Sequence, residues 1–124
     1  MIDHVSITVS DLPRATAFYE KLLAPLDHAK LANRETTTGF GKSYPEFWLN
    51  LRQDESVSSG AHVALRAPDI AAVEAFHKAA LENGGMCDGP PGYRKNYHPS
   101  YYAAFIRDAD GNRIEAVTFV KEHS

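Results

Sequence analysis

The feature that most constrains the fold is an internal repeat. When the chain is shifted by 58 positions, the segment from His62 onward aligns with the segment from His4 onward, and five positions are identical: His62-Val63 with His4-Val5, Asp69 with Asp11, and Ala75-Phe76 with Ala17-Phe18. Leu65 and Ile70 also align with the similar residues Ile7 and Leu12. Such self-similarity indicates two copies of one structural unit. We therefore predict one domain of two modules, residues 1–55 and 60–120.

Each module begins with a strand followed by a helix. In Ile2–Val9, apolar and polar side chains alternate with the period of a half-buried strand. Ser10 or Asp11 can cap a helix that has Pro13 in its first turn, runs to about Leu23 and is stopped by Pro25. The second copy predicts a helix over Ile70–Asn83, ended by two glycines.

The remaining strands are predicted from shorter patterns. Phe47–Leu51 is the best strand between the first helix and the polar segment 54–60, which we predict to connect the modules. The segment Asp88–Gly92 is so rich in glycine and proline that we predict an irregular loop. A hairpin is expected from Tyr101–Ile106 and Ile114–Val120, and we assign Asp110 and Gly111 between them to turn geometry alone.

Composition narrows the class of protein. The chain has 124 residues, 44% of them hydrophobic and 23% charged, as is ordinary for a globular protein with its own core. A net charge of −3 gives no reason to expect nucleic acid or an anionic membrane as a partner. Its one cysteine, Cys87, cannot form an internal disulfide. No apolar stretch approaches the roughly 20 residues of a membrane span, and no signal sequence is evident. We expect a cytoplasmic protein.

Two histidines and a carboxylate form the candidate site. On their strands, His4 and His62 both lie on the face opposite the aliphatic residues that would pack against the helix. Glu115 lies in an apolar strand, where a charge is costly unless it faces solvent, is paired or binds a metal. Two imidazoles and one carboxylate suit a divalent cation such as Fe(II), Mn, Ni, Co or Zn, with positions left open for substrate. After a slip of seven residues, the repeat aligns Asn50 with Glu115, so a symmetric fourth ligand would be a weak one.

Other polar and aromatic residues are candidates for contact with a substrate. Tyr97 and His98 lie in a polar, aromatic tract that either contacts substrate or is a solvated loop. Arg66 shares a face with His62, where it could meet an anionic substrate or form a salt bridge at a sheet edge.

The chain resembles the vicinal oxygen chelate superfamily, which includes glyoxalase I, extradiol dioxygenases, fosfomycin-resistance enzymes and bleomycin-resistance proteins. The resemblance rests on Asp3-His4-Val5, on Ala61–Leu65 and on the closing pattern Asp108-x-Asp110-Gly111-x-x-Ile114-Glu115. It implies an α+β fold of two βαβββ modules, whose strands form a cupped mixed sheet with the helices on its outer face, often in a homodimer. It also implies His4, His62 and Glu115 as metal ligands. In glyoxalase-like members the position that we align with Asn50 holds a further carboxylate, so this chain departs from glyoxalase I itself.

Two classes of function follow from this interpretation. The first is a small enzyme in which a divalent cation on His4, His62 and Glu115 chelates two neighbouring oxygens of a substrate, for lyase, isomerase or dioxygenase chemistry. We select Glu115 as its catalytic residue, and His98 and Tyr101 as nominees for acid–base roles. The second is a binding protein of the bleomycin-resistance type, which sequesters a small molecule without catalysis. There Trp48, with Tyr101 or Tyr102, would bind the ligand by stacking and burial.

Overall fold

The computed structural model describes residues 1–52 and 61–120. Its elements follow the order that the family resemblance implies, a strand and a helix followed by three strands, twice over. The first module contains β1 (Val5–Val9), α1 (Leu12–Leu23), a 3₁₀ turn (Ala24–Leu26), β2 (Ala29–Asn33), β3 (Thr37–Gly41) and β4 (Phe47–Leu51). The second contains β5 (His62–Arg66), α2 (Ile70–Glu82), β6 (Met86–Tyr93), β7 (Tyr101–Arg107) and β8 (Arg113–Phe119). The predicted connector, residues 54–60, lies outside the described residues.

Each module forms its own four-stranded mixed sheet. The strand orders are β1-β4-β3-β2 and β5-β8-β7-β6. In both, the first strand pairs in parallel with the last, β1 with β4 and β5 with β8, and the other neighbours are antiparallel. The α+β fold of two βαβββ modules is thereby confirmed, and the eight strands within residues 1–52 and 61–120 are hydrogen-bonded as two sheets of four.

The two sheets share one hydrophobic core. The helices contact each other, α1 contacts β2–β4, and α2 contacts β6–β8. Ile7 and Val9 of β1, Phe76 of α2 and Ile114 of β8 all belong to this core and are at most 2% exposed. The aliphatic face of each sheet therefore packs against the helices, and the opposite face carries the histidines. No helix among residues 1–52 and 61–120 is long and apolar enough to cross a membrane.

Repeat-equivalent aspartates begin the two helices. The Asp11 carboxylate accepts a hydrogen bond from the Arg14 amide at 3.1 Å, and the Asp69 carboxylate accepts one from Ala72 at 2.8 Å. Each satisfies one amide that the first turn of a helix leaves without a partner. Asp11, not Ser10, is therefore the cap of α1.

Loss of the second cap should cost a moderate amount of stability. We expect Asp69→Ala to lower the free energy of unfolding by about 1 kcal/mol, because the Ala72 amide loses its acceptor. Lys78→Ala, an exposed change within the same helix, should alter it by less than about 0.5 kcal/mol. Urea denaturation of the two variants and the parent measures both, and equal midpoints for the two variants would contradict the cap.

The prediction of an irregular loop over Asp88–Gly92 is wrong, because this segment lies inside β6. The strand keeps its pairing with β7 by means of two irregularities in register, between Cys87 and Gly89 and between Gly89 and Gly92. Such bulges let an edge strand accommodate residues that cannot donate to the ladder or that lack a side chain. Prolines at positions 90 and 91 are therefore compatible with an edge strand, which local composition alone did not indicate.

The turn before β8 also does more than reverse the chain. Gly111 has a φ of +85°, as expected for a turn glycine. Asp110, however, accepts hydrogen bonds from the Ser10 hydroxyl at 2.6 Å and the Ser10 amide at 3.1 Å. The Asn112 side chain donates to the Thr8 carbonyl at 2.9 Å. The assignment of Asp110 to turn geometry alone was therefore wrong, since the turn joins the second module to the end of β1.

Candidate functional site

Glu115 is buried on the face of the second sheet that carries His62. It pairs with Ala64 of β5 on one side and with Phe105 of β7 on the other. Its side chain is 3% exposed, and its Oε1 lies 3.0 Å from Nε2 of His62, whose side chain is 51% exposed. The Glu115 carboxylate, buried in an apolar strand, is therefore paired with His62. The accessible imidazole of His62 lies between this carboxylate and solvent.

Tyr101 holds the other oxygen of the same carboxylate. Its hydroxyl donates to Oε2 of Glu115 across the β7–β8 hairpin. The ring packs edge-on against Phe119 and Tyr97, with centroids 5.2 Å away in each case. Burial raises the pKa of Tyr101 well above its ordinary value, and the bond to Glu115 raises it further. The phenol therefore stays protonated and acts as a donor that fixes the orientation of Glu115.

His4 lies in the other module, immediately before β1. Its Nδ1 is 3.0 Å from Oδ2 of Asp3, whose Oδ1 accepts a hydrogen bond from the Tyr44 hydroxyl at 2.9 Å. Both hydrogen bonds lower the pKa of Asp3, and the one with His4 has the larger effect. A carboxylate on one imidazole nitrogen leaves the other free for a ligand or metal, as is common among metal-binding histidines.

The structure brings two of the three predicted ligands together. Two ligand atoms held about 2.1 Å from one cation at right angles are about 3 Å apart, which is the separation of Nε2 of His62 and Oε1 of Glu115. His4 lines a cavity of about 380 Å³ with His62, between the edge strands β1 and β5, but Glu115 does not line that cavity. Residues 1–52 and 61–120 of one chain contain no group of three potential ligands close enough to hold a metal. Two imidazoles and a carboxylate suit a divalent cation. His62 and Glu115 are already adjacent, whereas His4 of the same chain is not close enough to complete the site.

The strand register corrects the predicted equivalence of the two modules. In the second module Glu115 pairs with Ala64, two residues after His62. In the first, the residue that pairs with Ser6, two residues after His4, is Trp48. Trp48 rather than Asn50 is therefore the counterpart of Glu115, because the slip between the two modules before the last strand is nine residues and not the seven that the alignment assumed. Asn50 lies one pleat further along the same face, opposite Thr8.

Trp48 and Asn50 line a cavity on the first sheet together with His4. This cavity has a volume of about 440 Å³, and Arg34 and Tyr44 also border it. The Arg34 guanidinium lies over the Trp48 ring, 5.5 Å from its centroid. Local sequence pattern did not single out Arg34 or Tyr44, because each comes from outside the strands that carry the histidines.

The other predicted contact residues are distributed unevenly. Tyr97, 63% exposed, lines a cavity of about 290 Å³ with His62. Arg66 stacks on Phe119 at 4.7 Å. Nδ1 of His98 accepts a bond from the Ser100 amide at 3.0 Å, and its ring packs edge-on against Phe119 of β8.

Tyr102 cannot line the predicted cup. It is buried on the helix face of β7, where its hydroxyl donates to Glu74 of α2 at 3.2 Å. Neighbouring residues on a strand point to opposite faces, so Tyr101 and Tyr102 could not both face the site. Of this pair, Tyr101 is the residue on the site face.

Comparisons with known proteins agree with the architecture. The sequence model of the Glyoxalase/Bleomycin resistance protein/Dioxygenase superfamily matches residues 1–116. A glyoxalase/bleomycin resistance protein from Albidiferax ferrireducens T118 is similar over 93% of this chain and 96% of its own, with 30% identity and a TM-score of 0.81. At the level of fold, the fosfomycin resistance protein FosX from Mesorhizobium loti is similar over 97% of this chain and 92% of its own, with 18% identity and a TM-score of 0.68. A comparison with curated proteins finds no match.

The match covers the first module and the second as far as β8, includes His4 and His62, and ends one residue after Glu115. The chain belongs to the Glyoxalase/Bleomycin resistance protein/Dioxygenase superfamily.

Proposed function

We propose that this protein is a metal-dependent enzyme acting on a small molecule that bears two neighbouring oxygens. His4, His62 and Glu115 are the proposed ligands of the cation. The observation that carries the proposal is the 3.0 Å approach of His62 Nε2 to the buried Oε1 of Glu115. A buried carboxylate beside an accessible imidazole is a costly arrangement that a bound cation would stabilise.

A divalent cation at this position would act as a Lewis acid on the substrate oxygens and stabilise developing negative charge. The chain's own residues have separate roles. Glu115 is the proposed catalytic residue, and Tyr101 holds its second oxygen so that the first faces His62. Trp48 and Asn50 on one sheet, and Arg66 and Tyr97 on the other, would contact the substrate.

A second candidate function has its own supporting observation. The counterpart of Glu115 in the first module is an aromatic residue, Trp48, on a cavity of about 440 Å³. An indole platform suits the sequestration of a flat molecule by stacking, without catalysis. For such a binding protein we expect tight ligand binding that is unaffected by removal of divalent cations.

The oligomeric state offers a sharp test of the metal-dependent proposal. We propose a homodimer in which His4 of one copy completes the site formed by His62 and Glu115 of the other, since β1 and β5 are both edge strands. Metal-depleted protein titrated with Mn, Fe(II), Co, Ni or Zn should bind one cation per chain, and His4→Ala and Glu115→Ala should each lose it.

Mixing these two variants after unfolding and refolding them together distinguishes the arrangements. If the site lies between copies, mixed dimers contain one intact site, and about a quarter of the parent's binding sites return. Within a single chain no intact site can form and none returns. Parent protein that binds none of the five cations would contradict the enzyme proposal itself.

A further inference from the structure

The glycine- and proline-rich part of β6 lies against the side chain of Arg94. A Cβ atom added to Gly89 would lie 3.2 Å from Nη2 of Arg94, and one added to Gly92 would lie 3.1 Å from Nη1. Both distances are tighter than ordinary van der Waals contact. The two glycines therefore leave room for the guanidinium of Arg94 to lie against the backbone of β6.

Two further contacts hold this guanidinium in place, and a third fixes the Arg94 backbone. Nη2 donates to the Pro90 carbonyl at 2.6 Å, and the group lies over Phe105, 5.3 Å from the ring centroid. The Arg94 amide donates to the Tyr101 carbonyl at 2.7 Å, which ties its backbone to β7. An arginine positioned in this way before a ligand arrives loses little conformational entropy on binding.

Arg94 lines the cavity of about 290 Å³ that also contains His62. Its other charged lining residues are Asp88 and Arg113. Asp88 is already neutralised, since its two oxygens accept bonds from Nε of Arg107 at 3.1 Å and Nε of Arg113 at 3.2 Å. Two arginines and one aspartate leave the lining positively charged, although the whole chain has a net charge of −3. On the far side of His62, the Glu115 carboxylate is shielded by the imidazole and by Tyr101.

We propose that Arg94 is a prebuilt anion-binding residue, and that the substrate carries an oxyanion, a carboxylate or a phosphate, which Arg94 binds beside His62. A guanidinium matches the two oxygens of such a group better than any other side chain does. The inference rests on the proposed function only in taking the His62–Glu115 pair as the reacting centre. In this proposal the Gly-Pro-Pro-Gly segment has a function, which is to hold the Arg94 guanidinium against the backbone of β6.

The experiment compares two probes of nearly equal size and shape, benzoate and benzamide, titrated calorimetrically into metal-depleted protein. The parent should bind benzoate at least about tenfold more tightly than benzamide, because only benzoate presents a charged pair of oxygens to Arg94. Arg94→Gln should abolish this preference while leaving benzamide binding unchanged. Gly92→Ala should reduce the preference, since the new Cβ displaces the guanidinium without removing it.

Arg107→Gln is the matched control. It removes the same unit of charge from a residue that bonds to Asp88 but does not line the cavity. The preference for benzoate should survive in this variant. Equal binding of the two probes by the parent, or a preference for benzoate retained in Arg94→Gln, would overturn the proposal. Loss of this preference in Arg107→Gln as well as in Arg94→Gln would also overturn it, because the preference would then come from general electrostatic attraction.

Failure here is distinguishable from failure of the proposed function. Binding of benzoate to metal-depleted protein needs no cation, so the preference can persist in a protein that binds none. Conversely, cation binding that depends on Glu115 can persist in Arg94→Gln.

Discussion

Asp108→Ala is expected to destabilise the protein by about 3 kcal/mol, because it leaves three buried donors without their acceptor. The Asp108 carboxylate is 6% exposed and accepts bonds from the Tyr19 hydroxyl at 2.6 Å, the Asn112 amide at 2.9 Å and the Asn112 side chain at 3.0 Å. Tyr19 belongs to α1 of the first module, so the carboxylate joins the two modules through the core. Burial raises the pKa of Tyr19 most, and the neighbouring Asp108 raises it further. The Tyr19 hydroxyl therefore remains a donor.

Urea and thermal denaturation measure the effect. A loss of about 3 kcal/mol should lower the melting temperature by roughly 10 °C for a domain of this size. Tyr19→Phe should cost less, about 1–2 kcal/mol, because Asp108 keeps its bonds to Asn112. In the double variant the two losses should not add, since both remove the same bond.

Asp110→Ala is the control for this prediction. Asp110 lies in the same turn and bonds to Ser10 at the protein surface, where water can replace it, so the cost should stay within about 1 kcal/mol. Equal destabilisation by Asp108→Ala and Asp110→Ala would show that the buried carboxylate has no special role.

Glu115→Gln should weaken cation binding by more than about 100-fold while leaving the fold nearly unchanged. Removal of residues that merely support a metal ligand costs roughly 10–100-fold in affinity, so replacing the carboxylate ligand itself should cost more. The amide oxygen of glutamine can still accept the Tyr101 hydroxyl, so the metal-depleted variant should melt close to the parent. Calorimetric titration with Zn and Ni, beside melting curves of the metal-depleted proteins, separates the two effects.

Tyr101→Phe is the matched comparison for Glu115→Gln. It keeps the carboxylate but removes the donor that orients it, and it should weaken cation binding by roughly tenfold. Affinity in Glu115→Gln within tenfold of the parent would contradict the assignment of Glu115 as a ligand. A larger loss in Tyr101→Phe than in Glu115→Gln would contradict the proposed division of roles.

Much of the architecture could be predicted because its signals are local or repeated. The alternation around Ile7 depends on residues a few positions apart, and the repeat at 58 positions supplied the equivalence of His4 with His62. Periodicity predicts which face of a strand is buried without any knowledge of its neighbours. The strand and helix that begin each module, and the sheet face of His62, followed from this, whereas the count of three further strands in each module came from the family resemblance.

What sequence patterns could not supply depends on which strands pair and in what register. Trp48, not Asn50, is the counterpart of Glu115 because β4 pairs with β1 two residues away from the predicted alignment. Asp108 becomes a link between modules because α1 carries Tyr19 to it across 89 residues of sequence. The Gly-Pro-Pro-Gly segment becomes a strand because β7 supplies a partner, and its two glycines leave room for the Arg94 guanidinium. Contacts between distant residues are selected by packing of the whole core, which local pattern does not encode.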